Sequence, residues 1–180
     1  MLFRSRSCAP LASFLGFYLN LICENVMTVA TNSSSEIFEQ LIRINEKDVI
    51  IGISFPRYSM RALKALEFAS NRKAKVITLT DSIHSPMNLY SSCNLIARSD
   101  MASIVDSLVA PLSVINALVV ALCMKKQKEV VSTLETLEQL WGEYQVYSGD
   151  ELNPVSGSFS VNSMGKTKEQ EEGKEDQADA

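Results

Sequence analysis

DVIIGISFPRYS, residues 48–59, decides how this sequence is read. Its run Val49-Ile50-Ile51-Gly52-Ile53 shows no polar alternation, the mark of a strand buried on both faces of a parallel sheet. Ser54-Phe55-Pro56-Arg57-Tyr58-Ser59 then turns the chain, and a helical pattern begins at Met60. The carboxyl end of a central strand therefore meets the amino end of a helix. Unpaired backbone N–H groups and the positive end of the helix dipole favour an anion there. Two serine hydroxyls and a guanidinium beside them suit phosphate. Ser59 alone would be a helix cap and Arg57 alone a surface charge. Their joint placement with Ser54 makes the turn the candidate site.

Working outward, strands alternate with helices. Leu11, Phe14 or Leu15, Tyr18 and Ile22 recur at helical spacing, predicting a core-packed helix over 10–23. Val26–Ala30 reads as a short strand, and Thr31-Asn32-Ser33-Ser34 supplies turn and cap chemistry for a helix with the stripe Ile37, Leu41, Ile44. A helix from about Tyr58 to Asn71 turns Leu63, Leu66 and Phe68 inward. Lys75–Thr80 is the next strand, Pro86–Ser91 a short helix and Asn94–Ala97 a last strand. Two long helical patterns follow: Ile104, Leu108, Leu112, Ile115, Val119 and Leu122, with a kink expected at Pro111, and then Val130, Leu134, Leu137, Trp141 and Tyr144. Their apolar stripes suit either the core or a dimer interface. This order predicts an α/β fold, a doubly wound parallel sheet of about five strands flanked by helices in three layers. Ligands of such sheets sit beyond the carboxyl ends of the strands, where the turns after residues 53 and 80 both fall. Only Met1-Leu2-Phe3 stands before Arg4-Ser5-Arg6-Ser7, so the chain is expected to open inside its first strand, with most of that strand missing.

With 180 residues and 46% hydrophobic content, one core and one domain over 1–148 are expected. Residues 1–149 carry 14 Lys+Arg against 13 Asp+Glu, a net of +1, whereas residues 150–180 carry 3 against 8, a net of −5. The near-neutral body offers no nucleic-acid-binding face; Lys125-Lys126-Gln127-Lys128 is too small a patch. The segment 149–180 is poor in apolar residues and reads as a disordered acidic tail. Cys8, Cys23, Cys93 and Cys123 form no C-x-x-C pair, and His84 is the single histidine, so no metal site is expected. All four cysteines read as reduced and buried, in a cytoplasmic protein. Arg4 and Arg6 ahead of residues 11–19 imitate a signal peptide, but Asn20 and Glu24 cut the apolar stretch short of the ~20 residues a membrane span needs. No membrane partner is expected.

RSCAPLASFLGFYLNLI, DVIIGISFPRYSMRALKALEFA, KVITLTDS and MASIVDSLVAPLSVINALVVAL together resemble the sugar-isomerase (SIS) domain, and more narrowly the effector domain of RpiR-type transcriptional regulators. The resemblance covers roughly residues 4 to 147. It implies a five-stranded parallel sheet flanked by helices, a phosphosugar ligand, and a homodimer. It implies no cofactor. Carried over position by position, it implicates Ser5 and Ser7 in the loop after the first strand, and Ser54, Arg57 and Ser59 in the loop after residues 49–53. Pro56 stands where many SIS domains carry serine, which removes a hydroxyl and a backbone donor. RpiR-type regulators read DNA through an N-terminal helix-turn-helix domain that this chain lacks, so DNA binding is expected only through such a domain. The expected role is a phosphosugar-binding sensor of a regulator of carbohydrate metabolism, not an enzyme. A phosphosugar aldose–ketose isomerase on the same fold and a non-functional truncated fragment stay open as alternatives.

Asp81 and His84 follow the strand at 75–80 and lie near the expected pocket. Asp81 reads as a loop stabiliser or an acceptor for a sugar hydroxyl. His84 would be the base of an isomerase, but no second acid/base group accompanies it, and an exposed loop histidine is the plainer reading. Asp106, between Ser103 and Ser107, reads as a first-turn helix residue with a weaker claim on the pocket.

Overall fold

The computed structural model of the chain describes residues 2–4, 8–29, 33–99 and 107–146. Two compact units divide it, Met1–Thr136 and Leu137–Ala180. The first holds a five-stranded sheet, β1 (Leu2–Arg4), β2 (Thr28–Val29), β3 (Val49–Ile53), β4 (Lys75–Thr80) and β5 (Cys93–Ile96), in the order β2-β1-β3-β4-β5. Every pairing is parallel, with Leu2 opposite both Thr28 and Ile51, and Ile51 opposite Ile77. The expected strand at 26–30 is thus reduced to two residues, with Ala30 outside the described part, and the last strand lies one residue earlier than its apolar pattern implied.

Side chains on β3 and β4 alternate between two cores, as the period of two demands. Ile51, Ile53, Ile77 and Leu79 join Leu11, Leu15, Leu19 and Ile22 of α1 (Ala9–Ile22) and Ile115 and Val119 of α4 (Val109–Lys125). Ile50 and Val76 join Ile37 and Leu41 of α2 (Ser34–Leu41) and Leu66 of α3 (Met60–Asn71), with Met87 from the 3-10 turn Pro86–Tyr90 closing that side. Helices cover both faces, giving three layers. Gly52 makes the second layer possible: a Cβ there would stand 2.9 Å from Leu66 Cδ1 and 3.2 Å from Met87 Cε.

Three sequence expectations need correction. On α3 the fully buried face is Ala62, Ala65, Leu66 and Ala69, while Leu63 and Phe68 pack against the same core only half-buried. Small residues let the helix lie close, and Phe68 packs at the margin of this core, where its ring meets Phe38 edge-on at 5.6 Å. Pro111 produces no kink, because α4 begins at Val109 and the proline sits in the first turn, where its missing N–H would have no helical partner. Cys93 is exposed, not buried, because it opens the edge strand β5; Cys8 is buried, Cys23 and Cys123 are half-buried, and all four are free thiols.

A final helix, α5 (Gln127–Glu143), buries no residue fully. Its first half belongs to the first unit, and of the second unit residues 137–146 are described, the end of α5 and the turn at Gln145 with φ 49°. Among the described residues no single helix is long and apolar enough to cross a membrane. The segment 149–180 lies outside the described residues.

Candidate functional site

The strand order places a topological switch between β1 and β3. The helix that leaves β1 covers one face of the sheet and the helix that leaves β3 covers the other. The carboxyl edge at this switch point is the usual ligand position in open α/β sheets. Ser5 and Ser7, the candidates in the first loop, lie outside the described residues, as does Asp106.

The second loop is well defined. Ser54, buried at 1% exposure, continues β3 by one residue and donates its N–H to the Leu79 carbonyl at 3.1 Å. Its Oγ accepts the Ser59 N–H at 3.4 Å. Ser59 is the N-cap of α3: its Oγ accepts from Ala62 N at 3.4 Å and its carbonyl from Leu63 N at 3.1 Å. Between the serines the chain makes a tight reversal. Phe55 is buried in the α1/α4 core, whereas Pro56 and Arg57 are exposed. Arg57 has φ 71°. A proline followed by a positive-φ residue is the arrangement of a type II turn, whose third position ordinarily holds Gly or Asn. Pro56 thus sets the dihedral that presents Arg57, and the arginine is held in a region costing an L-residue roughly 1–2 kcal/mol.

Tyr58 ties this turn to the loop after β4. Its hydroxyl donates to Asp81 Oδ1 at 2.7 Å. The Thr80 hydroxyl also bonds Asp81 Oδ1, at 3.1 Å, and Ser85 Oγ, at 2.9 Å; Ser85 in turn accepts from Met87 N at 3.3 Å. Thr80 and Ser85 are buried and Tyr58 and Asp81 half-buried, so the Thr80–Ser85 bond is shielded from water and strengthened. Burial raises the Tyr58 phenol above its ordinary value, and its hydrogen bond to the Asp81 carboxylate raises it further. Asn88 stiffens the same loop, its Nδ2 donating to the Ser82 and Ile83 carbonyls at 3.0 Å each.

The structure thus brings Ser54, Ser59 and Asp81 to one edge, with Arg57 at the exposed tip of the turn. His84 lies on the same loop as Asp81, its backbone N–H held by Ser82 Oγ at 3.1 Å and its side chain exposed. Tyr58, Thr80 and Ser85 were not singled out from the sequence. Tyr58 gave one signal, an aromatic hydroxyl flanked by Arg57 and Ser59. Thr80 and Ser85 gave none, since their partners are set by tertiary register.

Switch point, serine-lined turn and helix cap together give the α/β architecture that places ligands at the carboxyl edge of the sheet. The family model described as the SIS domain matches residues 4–121, and the chain belongs to that family. No curated protein matches the sequence. Among solved structures, the chain is similar to the sugar isomerase domain of an RpiR transcription factor from Sphaerobacter thermophilus, at 24% identity and TM-score 0.72 over 77% of this chain and 76% of that one. It is similar to the Vibrio vulnificus NanR protein complexed with ManNAc-6P at 19% identity and TM-score 0.65, over 77% of this chain and 53% of that one. A protein from Methanococcus jannaschii, whose structure infers a 3-hexulose-6-phosphate isomerase function, is similar at 10% identity and TM-score 0.56, over 73% and 74% of the two chains. At these identities the structural likenesses establish the fold.

Proposed function

We propose that this chain is the phosphosugar-binding effector domain of an RpiR-type regulator of carbohydrate metabolism. The observation that carries the reading is the Ser54–Ser59 turn, where two serine hydroxyls accept N–H groups at the amino end of the twelve-residue helix α3 and Arg57 stands exposed between them. The phosphate of the ligand is held by Ser54, Ser59 and Arg57 from this loop and by Ser5 and Ser7 from the loop after β1. The likeness to NanR, solved with ManNAc-6P, supports a phosphorylated sugar as ligand. DNA is reached through the helix-turn-helix domain of such a regulator.

The protein acts as a homodimer in the cytoplasm. Support for the dimer comes from α4 and the first half of α5, which leave Val120 at 57%, Met124 at 66% and Leu134 at 42% exposure. The four free thiols are compatible with a reducing compartment. Ligand binding shifts the arrangement of the dimer by its preference for one state.

Isothermal titration with hexose 6-phosphates and the matching free sugars, followed by an isomerase assay on any ligand that binds, tests this reading. Saturable binding of a phosphosugar without turnover is expected. Turnover would assign the chain to the isomerases instead, a reading favoured by the likeness to the M. jannaschii protein. Absence of binding to any phosphosugar would overturn both.

A further inference from the structure

Asp81 presents its two carboxylate oxygens unequally. Both described hydrogen bonds, from Tyr58 at 2.7 Å and from Thr80 at 3.1 Å, converge on Oδ1. Among the described residues no donor reaches Oδ2, although the residue is half-buried at the same sheet edge as the phosphate turn. A carboxylate oxygen accepts about two hydrogen bonds, so a clamped Oδ1 leaves a fixed acceptor on Oδ2. The clamp is a built one. Tyr58 is the residue between Arg57 and Ser59, Thr80 is buried, and Ser85 backs Thr80 from the start of the 3-10 turn.

We propose that Asp81 Oδ2 accepts hydrogen bonds from the hydroxyl groups of the phosphorylated carbohydrate, and that Tyr58 and Thr80 are the positioning residues that aim it. This rests on the phosphosugar reading and deepens it. The phosphate turn supplies affinity for any phosphate monoester, whereas Asp81 distinguishes a polyhydroxylated ester from phosphate alone. Tyr58 joins the two functions mechanically, because it belongs to the phosphate turn and bonds the residue that reads the hydroxyls. A site that hydrogen-bonds a substrate hydroxyl favours ligands that carry it, since a ligand without it displaces water from the acceptor and returns no bond.

The test uses the full chain and three probes, ManNAc-6P, glucose 6-phosphate and inorganic phosphate, titrated against wild type, Asp81→Asn, Asp81→Ala and Tyr58→Phe. Asparagine keeps a carbonyl oxygen for Tyr58 and Thr80 but puts an amide donor where Oδ2 was. Asp81→Asn is therefore expected to melt like wild type, to lose about tenfold or more in affinity for the hexose phosphate that wild type prefers, and to bind inorganic phosphate as wild type does. Tyr58→Phe is expected to narrow the ratio of hexose phosphate to phosphate affinity in the same direction. If Asp81→Asn binds both probes like wild type while Asp81→Ala loses both, Asp81 is a structural clasp and the inference is overturned. Equal losses for hexose phosphate and inorganic phosphate in Asp81→Asn would overturn it as well. Failure of wild type to bind either hexose phosphate removes the phosphosugar reading, and this inference with it.

Discussion

The Ser59 N–H donates to Ser54 Oγ across 3.4 Å, so the residue that ends the central strand and the residue that caps the next helix are bonded to each other. The turn is closed by side chains that are also its ligand candidates. Ser59→Ala removes the cap on Ala62 N and is expected to lower stability by about 1 kcal/mol. For a domain of this size that is roughly 2–4 °C in Tm, read by circular dichroism. A loss within error would show that the cap contributes nothing.

Arg57 at φ 71° gives a second prediction. Arg57→Gly and Arg57→Ala remove the same guanidinium, so their difference isolates the backbone. Glycine is ordinarily the more destabilising of the two, but at positive φ the order inverts, and the glycine variant should be the more stable by about 1 kcal/mol. Chemical denaturation of both variants checks this. Both variants should lose phosphosugar affinity, since neither carries the cation.

Tyr58 makes stability depend on alkaline pH. Its pKa is raised above the ordinary 10.0 by burial and then by Asp81, so the folded state holds the phenolic proton more tightly than the unfolded chain does. That contribution is complete below the unfolded value and is lost as pH rises through the folded one. The stability difference between wild type and Tyr58→Phe should be flat from about pH 7 to about pH 9 and shrink above about pH 10. A difference that stays constant above pH 10 would show that the folded state does not hold the Tyr58 proton more tightly than the unfolded chain.

The dimer is open to a simple test. Leu134 on α5 and Met124 on α4 are exposed in the single chain, where each leaves apolar surface in water. Leu134→Glu should place an unpaired charge in the interface and weaken dimerisation by about 2 kcal/mol or more, about thirtyfold in dissociation constant. Light scattering after size exclusion reads the mass directly. A wild-type chain that is monomeric at all concentrations would contradict the proposed assembly.

Legibility in the sequence followed the range of the forces involved. β3 and β4 stand at the residues read from their apolar runs, and α3 starts where Ser59 caps it, because strand burial and capping are local signals. The inward face of α3 was misread, since Phe68 is more apolar than Ala65 and Ala69 but too large for a helix lying on Gly52 and its neighbours. Pro111 was misread because the pattern from Ile104 ran through a boundary that only the structure reveals, with Leu108 as cap. In the site, Ser54, Arg57 and Ser59 were legible as one contiguous turn. The Tyr58–Asp81 bond was not, for it joins residues 23 apart in sequence and depends on the register of β3 against β4.

The central claim is that the Ser54–Ser59 turn binds phosphorylated sugars. A thermal-shift titration of wild type and of Ser54→Ala/Ser59→Ala against hexose 6-phosphates and the corresponding free sugars tests it most directly. Ligand at 100 times its dissociation constant adds about 2.7 kcal/mol to the folded state, which is several degrees in Tm. Wild type should show that shift with a phosphosugar and none with the free sugar, and the double variant should melt cooperatively without the shift. A double variant that retains the full shift, or a wild type that responds to no phosphosugar, would contradict it.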